Sequence, residues 1–460
     1  MSQLKAALNQ VRDDRDQHLS EYKELLSIPS VSTLPEHKGD ILRCADWLAA
    51  QLKQAGMDNV DIKDTGGHPI VYGESLKAGK DKPTVLVYGH YDVQPADPFD
   101  EWDSPPFDPT INGDYIIARG ASDMKGQIFA QIKAVQALTA HGDFPFNIKY
   151  LIEGEEEIGS ENLDTFIDNN SDLLQCDVVL NTDACIFDKD QPGITYSLRG
   201  LAYFEIEIRT CEKDLHSGRF GGSVRNPIHI LSELIAGMHD DQGRVTLPGF
   251  YDDVRALPQE ERDAIAQLPF TDERWRKMST SEALYGEDGF TTKERVGVRP
   301  ALDINGIWGG FTGEGAKTVL PAVATCKLST RLVAHQDHTN VPAMLRAYLE
   351  AHMPDHVQWE LRDLSGGPAA TMDRHSPWMA AATAALHDTF GKDTLFSPEG
   401  GSVPVVGMMQ EKLGVDSIML GFALPDDGIH GPNERQYLPN FYRGIETYIH
   451  YMIRLGDITP

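Results

Sequence analysis

Cysteine is scarce in this sequence, and its few copies form no recognisable motif. The 460-residue chain has five cysteines, which are scattered and include no Cys-x-x-Cys pair. This pattern argues against a disulfide framework and against a cysteine-ligated zinc site. The chain also lacks a run of ~20 apolar residues, and its N-terminus lacks the apolar segment of a secretory signal. We therefore expect a cytoplasmic protein that does not bind membranes.

Basic residues are also in short supply. The chain has 41 Lys and Arg against 70 Asp and Glu, which gives a formal net charge of -29. Nucleic acids and anionic lipids require a basic face, so neither is an expected partner. Three catalytic motifs are missing as well: HExxH, GxSxG and GxxxxGK(S/T). Zincin, serine-hydrolase and P-loop chemistries therefore lack support.

Short apolar segments alternate with amphipathic ones up to residue 198 and again after residue 370. Segments 85–88, 148–152 and 178–180 are apolar runs followed by polar, glycine-containing residues, which predicts buried strands. Segment 127–138 has apolar residues at helical spacing. This alternation predicts an α/β domain with a mostly parallel sheet.

The pattern changes between residues 199 and 370. Segments 203–209 and 325–333 alternate apolar and polar residues, which predicts half-solvated strands. A helix is predicted at 227–239, and the polar stretch 240–299 has no clear periodicity. We predict one catalytic α/β domain, residues 1–198 and 371–460, interrupted by an inserted α+β domain, residues 199–370.

Acidic and histidine side chains occur in five short segments, four of them at predicted strand ends. The segments are Gly-His90-Tyr-Asp92, Ser-Asp123-Met, Glu153-Gly-Glu155-Glu156-Glu157, Asn181-Thr-Asp183 and Ile-His430-Gly. The carboxyl ends of parallel strands meet at one edge of a sheet, so these side chains can converge. Crowded carboxylates repel each other unless a cation neutralises them. Imidazole with carboxylate suits zinc, manganese or cobalt, so a pair of divalent ions fits this set.

Each segment has an ordinary structural interpretation when it is taken alone. A His-x-Asp pair is frequently a loop hydrogen bond, and a run of glutamates is frequently a solvated helix start. Asp123 and Asp183 could cap helices, and His430 could be a loop histidine. The occurrence of all five segments in matching contexts favours the metal centre.

Together, the segments resemble the signature of the dinuclear-metal family of aminoacylases, carboxypeptidases and desuccinylases. The wording GHYDVQP at 89–95 is closest to the carnosinase-like and Cys-Gly dipeptidase branch. Similar wording covers nearly the whole chain: LHSGRFGG at 215–222, DINGIWGG at 303–310, KTVLP at 317–321, STRLV at 329–333 and EGGSVP at 399–404. The resemblance implies a zinc-exopeptidase-like catalytic domain with an inserted lid and dimerisation domain.

The resemblance also implies two divalent ions per subunit, zinc first, with manganese or cobalt as alternatives. It assigns His90 and Asp183 to one ion, and Glu157 and His430 to the other. Asp123 would bridge the two ions, and the peptide bond that follows it would be cis.

Catalytic roles follow from the same resemblance. Glu156 would be the general base, with Asp92 behind the metal ligands. His216 would reach the site across a homodimer and donate to the oxyanion; alternatively, it is an ordinary surface or dimer-interface histidine. Glu155 is expected to be a solvated bystander.

Substrate contacts are implied for four residues of the inserted domain and the segment after it. Arg331 would bind the terminal carboxylate of the substrate, although it could instead form a salt bridge at a strand end. Thr318, Asn305 and Ser402 would help to hold the peptide.

We therefore predict a metallopeptidase, specifically a dipeptidase that hydrolyses short unblocked peptides with water activated between two metal ions. The nearest alternative keeps the metals but acts on N-acyl amino acids, as a deacylase or desuccinylase does. A remote alternative is a non-catalytic binding protein on the same fold.

Overall fold

A computed structural model describes residues 2–459, which form two compact units. The first unit contains the described residues up to Tyr196, Met372–Phe396 and the residues from Met408 onward. The second contains Ser197–Thr371 and Ser397–Gly407. The sequence predicted a single insertion, whereas the structure adds a short second segment, 397–407, to the second unit.

The helices are given in chain order. They are α1 (Gln3–Asp13), α2 (Arg15–Leu26), α3 (Lys38–Gln54), α4 (Gly126–Thr139), α5 (Leu163–Asn169), α6 (Ser171–Leu174), α7 (Ser217–Phe220), α8 (Pro227–Gly237), α9 (Gln259–Ala266), α10 (Asp272–Ser279), α11 (Thr292–Gly297), α12 (Val341–His352), α13 (Pro377–Phe390), α14 (Pro404–Leu413) and α15 (Leu438–Leu455). None of these helices is both long and apolar enough to span a bilayer, as judged over residues 2–459.

The strands follow in the same way. They are β1 (Asn59–Lys63), β2 (Ile70–Ser75), β3 (Thr84–His90), β4 (Thr110–Asn112), β5 (Tyr115–Ile117), β6 (Asn147–Glu153), β7 (Val178–Asn181), β8 (Gly193–Leu198), β9 (Gly200–Arg209), β10 (Leu215–His216), β11 (Ala301–Gly309), β12 (Val319–Leu320), β13 (Val323–Leu332), β14 (Gln358–Gly367), β15 (Ala370–Thr371), β16 (Leu395–Glu399), β17 (Asp416–Met419) and β18 (Arg435–Tyr437).

The large sheet has a parallel centre, as the sequence predicted. Its strand order is β1-β2-β6-β3-β7-β17-β8-β15, and β16 pairs with β8. Strand β3 runs parallel to β6 and β7, and β17 runs parallel to β7. The edges are antiparallel, because β2 pairs with β6 in that sense and β17 meets β8 likewise. Strands β3, β6 and β7 are almost entirely buried, which explains their largely apolar sequences.

The second unit is built on a four-stranded antiparallel sheet of order β11-β13-β9-β14. Strand β9 alternates buried and half-buried residues, so one face lies on the core. Its core residues Phe204, Ile206 and Ile208 belong to one cluster with Leu231 of α8 and Leu345 of α12. The stretch 240–299, which had no readable periodicity, contains three short helices, α9 to α11.

A small three-stranded sheet connects the C-terminal loop to the chain before Asp123. Its order is β18-β5-β4, and β18 pairs with β5 residue by residue, for example Gln436 with Ile116. The loop that carries His430 and the turn that carries Asp123 are therefore held at neighbouring strand ends.

Candidate metal centre

Three parallel strands end side by side and deliver the first site residues. His90 is the last residue of β3 and lies opposite Glu153, the last residue of β6. Strand β7 ends at Asn181, and Asp183 follows two residues later. The residues that the sequence placed at strand ends therefore lie along one edge of the sheet. Open α/β sheets bind ligands at this edge.

One cluster of potential ligand atoms contains His90, Asp123 and Asp183. The atoms that these side chains offer lie within 4.8 Å of one another. The Nε2 atom of His90 is 3.2 Å from Oδ1 of Asp123 and 3.9 Å from Oδ2 of Asp183. The His90 side chain is fully buried, so its ring has little freedom to turn away.

A second cluster contains Asp123, Glu157 and His430, again within 4.8 Å. The Nε2 atom of His430 is 2.9 Å from Oδ2 of Asp123 and 3.1 Å from Oε2 of Glu157. Gln94 donates a hydrogen bond of 2.8 Å to the same Glu157 oxygen. Asp123 offers Oδ1 to one cluster and Oδ2 to the other, and the peptide bond from it to Met124 is cis.

Asp92 contacts residues of both clusters without belonging to either cluster. Its carbonyl oxygen is 3.1 Å from Nδ1 of His90, which leaves Nε2 of the ring for the clusters. Its two carboxylate oxygens accept the backbone N–H groups of Glu156 and Glu157 at 3.2 and 3.1 Å. One fully buried side chain therefore fixes the turn that carries both glutamates.

The carboxyl groups of the centre are electrostatically crowded. Burial raises the pKa of Glu156 to about 8, and the nearby Asp183 and Glu157 carboxylates add to the shift, against an opposing effect of His90. Burial and the Asp123 carboxylate raise the pKa of Asp183 to about 7. Both groups thus resist ionisation when no cation is nearby.

The excess of carboxylates also shifts the pKa of His430, in the direction that favours its charged form. Hydrogen bonds to Asp123 and Glu157 raise the pKa of His430 to about 10. Burial would raise the pKa of Asp123, but hydrogen bonds from His430 and His90 hold it below its ordinary value. This donor set of imidazoles and an excess of carboxylates fits two divalent cations.

The residues predicted to contact substrate lie in the second unit. Arg331 Nη1 donates a hydrogen bond of 2.7 Å to the Ser402 hydroxyl. His216 is exposed, and its Nδ1 accepts the backbone N–H of Gly218 at 3.1 Å, so Nε2 carries the proton in the neutral ring. Thr318 is exposed beside β12, which pairs with the strand of His216.

Asn305 lies on the exposed side of β11, at a β-bulge between Ile304 and Gly306. Over residues 2–459, the Asn305 side chain makes no hydrogen bond to Arg331 or Ser402, which bond to each other.

Residues 86–454 match the peptidase family M20/M25/M40. The chain belongs to this family. It is 31% identical to the Cys-Gly metallodipeptidase dug1 of Schizosaccharomyces pombe, over 97% of both chains. It is also 31% identical to the Beta-Ala-His dipeptidase of Homo sapiens, over 96% of this chain and 91% of that protein. A solved M20 family metallo-carboxypeptidase from Sulfolobus solfataricus, 32% identical, superposes with a TM-score of 0.84 and covers 96% of this chain and 99% of that one.

This M20 chain is therefore a metallopeptidase. The predicted resemblance to the carnosinase-like and Cys-Gly dipeptidase branch is confirmed by these relatives. So is the predicted fold class, since its neighbours with solved structures are peptidases of this family.

The prediction of a solvated Glu155 in this M20 peptidase is wrong. Glu155 is buried, and one of its carboxylate oxygens accepts the backbone N–H of His68 at 2.7 Å. Both oxygens also lie within hydrogen-bond distance of the Asn162 side chain. Glu155 therefore joins two loops next to the metal centre, a role that three consecutive glutamates do not reveal in the sequence.

Sequence reasoning gave no role to three buried or half-buried charged residues of the M20 chain. Arg199 donates to the Gly400 carbonyl at 3.0 Å, and burial together with the nearby Arg331 lowers its pKa to about 10. Glu153 accepts hydrogen bonds from Tyr88 and Ser160 behind His90. The third residue is Glu434, four positions after His430.

Proposed function

We propose that this chain is a metal-dependent dipeptidase that hydrolyses short peptides with free termini. The observation that carries the proposal is the pair of ligand clusters that share Asp123, with Glu156 Oε2 3.9 Å from the His90 ring nitrogen. A shared carboxylate between two imidazole-containing clusters is suited to a dinuclear centre.

Five side chains would hold the two ions. His90 and Asp183 would bind one ion, Glu157 and His430 the other, and Asp123 both. The geometry supports two divalent ions, and we propose zinc first, with manganese or cobalt as alternatives. When bound, such ions lower the pKa of a coordinated water and polarise a carbonyl group.

Glu156 is proposed as the general base. Its carboxylate lies on the rim of the first cluster, and the Asp92 carboxylate fixes its backbone. Positive charge in the centre would lower its pKa from about 8, so that it is ionised at neutral pH. The Glu156 carboxylate would then take a proton from the attacking water and return it to the leaving amine.

The second unit is proposed to recognise the peptide. Arg331 and Ser402, already hydrogen-bonded, would bind the terminal carboxylate through the guanidinium fork. Arg199, whose charge acts on Arg331, would add to the positive potential there. We retain Thr318 and Asn305 as proposed contacts to the peptide backbone.

The proposed substrate class follows the names of the relatives. Those relatives are named for Cys-Gly and Beta-Ala-His, both of which are dipeptides. N-acyl amino acids are not favoured by these comparisons and serve as the comparison substrates. Cytoplasmic location is retained as a prediction from the cysteine pattern.

A homodimer is proposed on the basis of the second unit. Strand β11 is an edge of its sheet, and the exposed Ile307 and Trp308 lie on it, with the exposed Phe311 just beyond. Exposed apolar side chains on an edge strand are typical of an interaction surface. A second copy of the chain would cover this surface and supply His216 as a donor to the oxyanion.

Chelation followed by metal addition tests the proposed activity. Cys-Gly, carnosine and Ala-Ala should be hydrolysed by the zinc- or manganese-loaded protein, and activity should disappear with chelator and return with metal. N-acetyl and N-succinyl amino acids should be hydrolysed far more slowly under the same conditions. Rapid hydrolysis of the acyl substrates alone would contradict the proposal, and no hydrolysis of either class would favour a binding protein.

Hybrid dimers test whether His216 acts across subunits. We expect His216→Ala and Glu156→Gln to be nearly inactive separately, because each removes one group from every site. Unfolding and refolding the two variants together should restore activity, since one site of each hybrid would contain both Glu156 and a partner His216. Sedimentation should show a dimer throughout. If mixing restores nothing although hybrids form, His216 does not act in trans.

A further inference from the structure

Glu434 is a carboxylate with no exposed surface that lies directly behind Asp123. Its two oxygens accept hydrogen bonds from four donors: Oε2 from Arg119 Nη1 and the Gly120 N–H, both at 2.8 Å, and Oε1 from the Ser122 and Asp123 N–H groups, both at 2.9 Å. The Glu434 side chain thus binds the backbone of the residue that is shared by the two clusters.

The rest of the turn that precedes Asp123 is fixed in the same manner. The carbonyl of Ala121 accepts the Tyr22 hydroxyl at 2.6 Å, and the carbonyl of Ser122 accepts Gln127 at 3.0 Å. The Ser122 hydroxyl donates to Asp427 at 2.7 Å. With its backbone held from outside, the turn directs the Asp123 carboxylate toward the histidines.

Arg119 compensates the charge of Glu434. Its side chain is 1% exposed, its Nη2 donates to the Pro95 carbonyl at 3.2 Å, and its guanidinium lies 5.3 Å from the centre of the Trp102 ring. An unpaired carboxylate buried beside Asp123 would be strongly unfavourable. Glu434 therefore accepts four hydrogen bonds, while its ion pair with Arg119 leaves little net charge at this buried position.

The loop that carries Glu434 also carries His430. His430 and Asn433 have φ values of 64° and 59°, a region that non-glycine residues rarely occupy. The Asn433 side-chain oxygen accepts a hydrogen bond of 2.8 Å from the Asp103 N–H, and its Nδ2 donates one of 3.0 Å to the Glu101 carbonyl. Glu434, the next residue, binds the backbone of the turn that carries Asp123. The loop that carries His430 is therefore fixed at both residues that follow Pro432.

We propose that Glu434 is a positioning residue that sets the place of Asp123 relative to His430. It touches neither substrate nor ions; it acts through the Asp123 backbone and the loop of His430. The inference rests on the proposed dinuclear function. Its consequence is specific: loss of the Glu434 charge should weaken the Asp123, Glu157 and His430 cluster more than the His90, Asp123 and Asp183 cluster, which lacks a residue from this loop.

Glu434→Gln is the direct test, because it keeps the shape of the side chain and removes one acceptor oxygen. Calorimetric titration of the metal-free protein with zinc should show two binding events in the wild type. In the variant, one of the two events should lose about 10- to 100-fold in affinity and the other much less, as is usual when an outer partner of one metal ligand set is removed. With metal added to saturation, kcat for Cys-Gly should stay reduced while KM is nearly unchanged.

Glu287→Gln is the matched control. Glu287 is also a buried glutamate paired with an arginine, since both of its oxygens accept from Arg299 at 2.7 and 2.8 Å. It lies in the second unit and belongs to neither cluster. This variant should lose stability but bind zinc as the wild type does. A merely structural role for Glu434 predicts the same behaviour in both variants.

Glu434→Asp keeps the charge but is one methylene shorter, and it serves if the glutamine variant does not fold. It should also show weakened zinc binding, and the visible spectrum of its cobalt-loaded form should differ from that of the wild type. Wild-type zinc affinities and spectra in the folded variants would overturn the proposal. If the wild type itself binds no divalent ions, the proposed function fails instead, and the two failures are thereby distinguished.

Discussion

Glu156→Gln is expected to lower kcat for dipeptides by about 10²–10⁴-fold, the usual contribution of a general base. Glutamine has nearly the same shape, so the Asp92 bonds to the backbone of this turn should persist. Glutamine cannot take a proton from water at neutral pH, however. Because Glu156 is not among the five proposed ligands, the variant should still bind two ions per subunit, as measured by elemental analysis.

Glu155→Gln is the matched control for this effect, since it makes the same change one residue earlier. Glu155 binds His68 and Asn162 rather than the cluster atoms, so its loss should lower the unfolding temperature while leaving kcat within a small factor. Near-normal turnover by Glu156→Gln, with a full metal complement, would show that another group is the base.

The parts of the fold that the sequence predicts best are those with one dominant determinant. Strands β3, β6 and β7 are buried on both faces, so their sequences are largely apolar, and each was predicted to within three residues. Strand β1 was missed because it is exposed to half-buried and pairs only at the sheet edge. The segment 397–407 was assigned to the first unit because membership of a unit depends on tertiary contacts rather than on local pattern.

In the candidate centre too, some residues can be predicted from the sequence and others only from the fold. Histidines and acids at strand ends are visible in the sequence because their chemistry is unusual for those positions. Glu434 and Glu155 are ordinary loop acids in the sequence, and their roles come from backbone N–H groups that other segments bring to them. Arg199 likewise gains its significance from Arg331, more than a hundred residues later. Such roles require the fold to be known first.

Two carboxyl groups of the centre, those of Glu156 and Asp183, oppose the stability of the metal-free protein because their pKa values are raised in the fold. Asp183 has an ordinary pKa of 3.8, and in the fold it rises to about 7 because of burial and the Asp123 charge. Between these values the folded protein retains a proton that the unfolded chain has released. Stability therefore falls as pH rises through this window, and the full cost is present above it.

Asp183→Asn is accordingly expected to have two opposite effects. The metal-free variant should unfold several degrees higher than the metal-free wild type at about pH 8, with a smaller difference at about pH 5, because asparagine never ionises. The same substitution removes a ligand of the first cluster. Zinc should therefore raise the unfolding temperature of the wild type by mass action but raise that of the variant much less. Dipeptide hydrolysis by the variant should fall close to background.

Asp46→Asn provides the control, because Asp46 is an exposed aspartate on α3, in the same unit. It should leave both the pH dependence and the response to zinc unchanged. Scanning calorimetry at the two pH values, with chelator and with zinc, measures all of these differences in one series. A metal-free Asp183→Asn protein that is less stable than the wild type at about pH 8 would mean that hydrogen bonding at this position outweighs charge repulsion. The trade-off between stability and metal binding would then have to reside in other carboxylates of the centre.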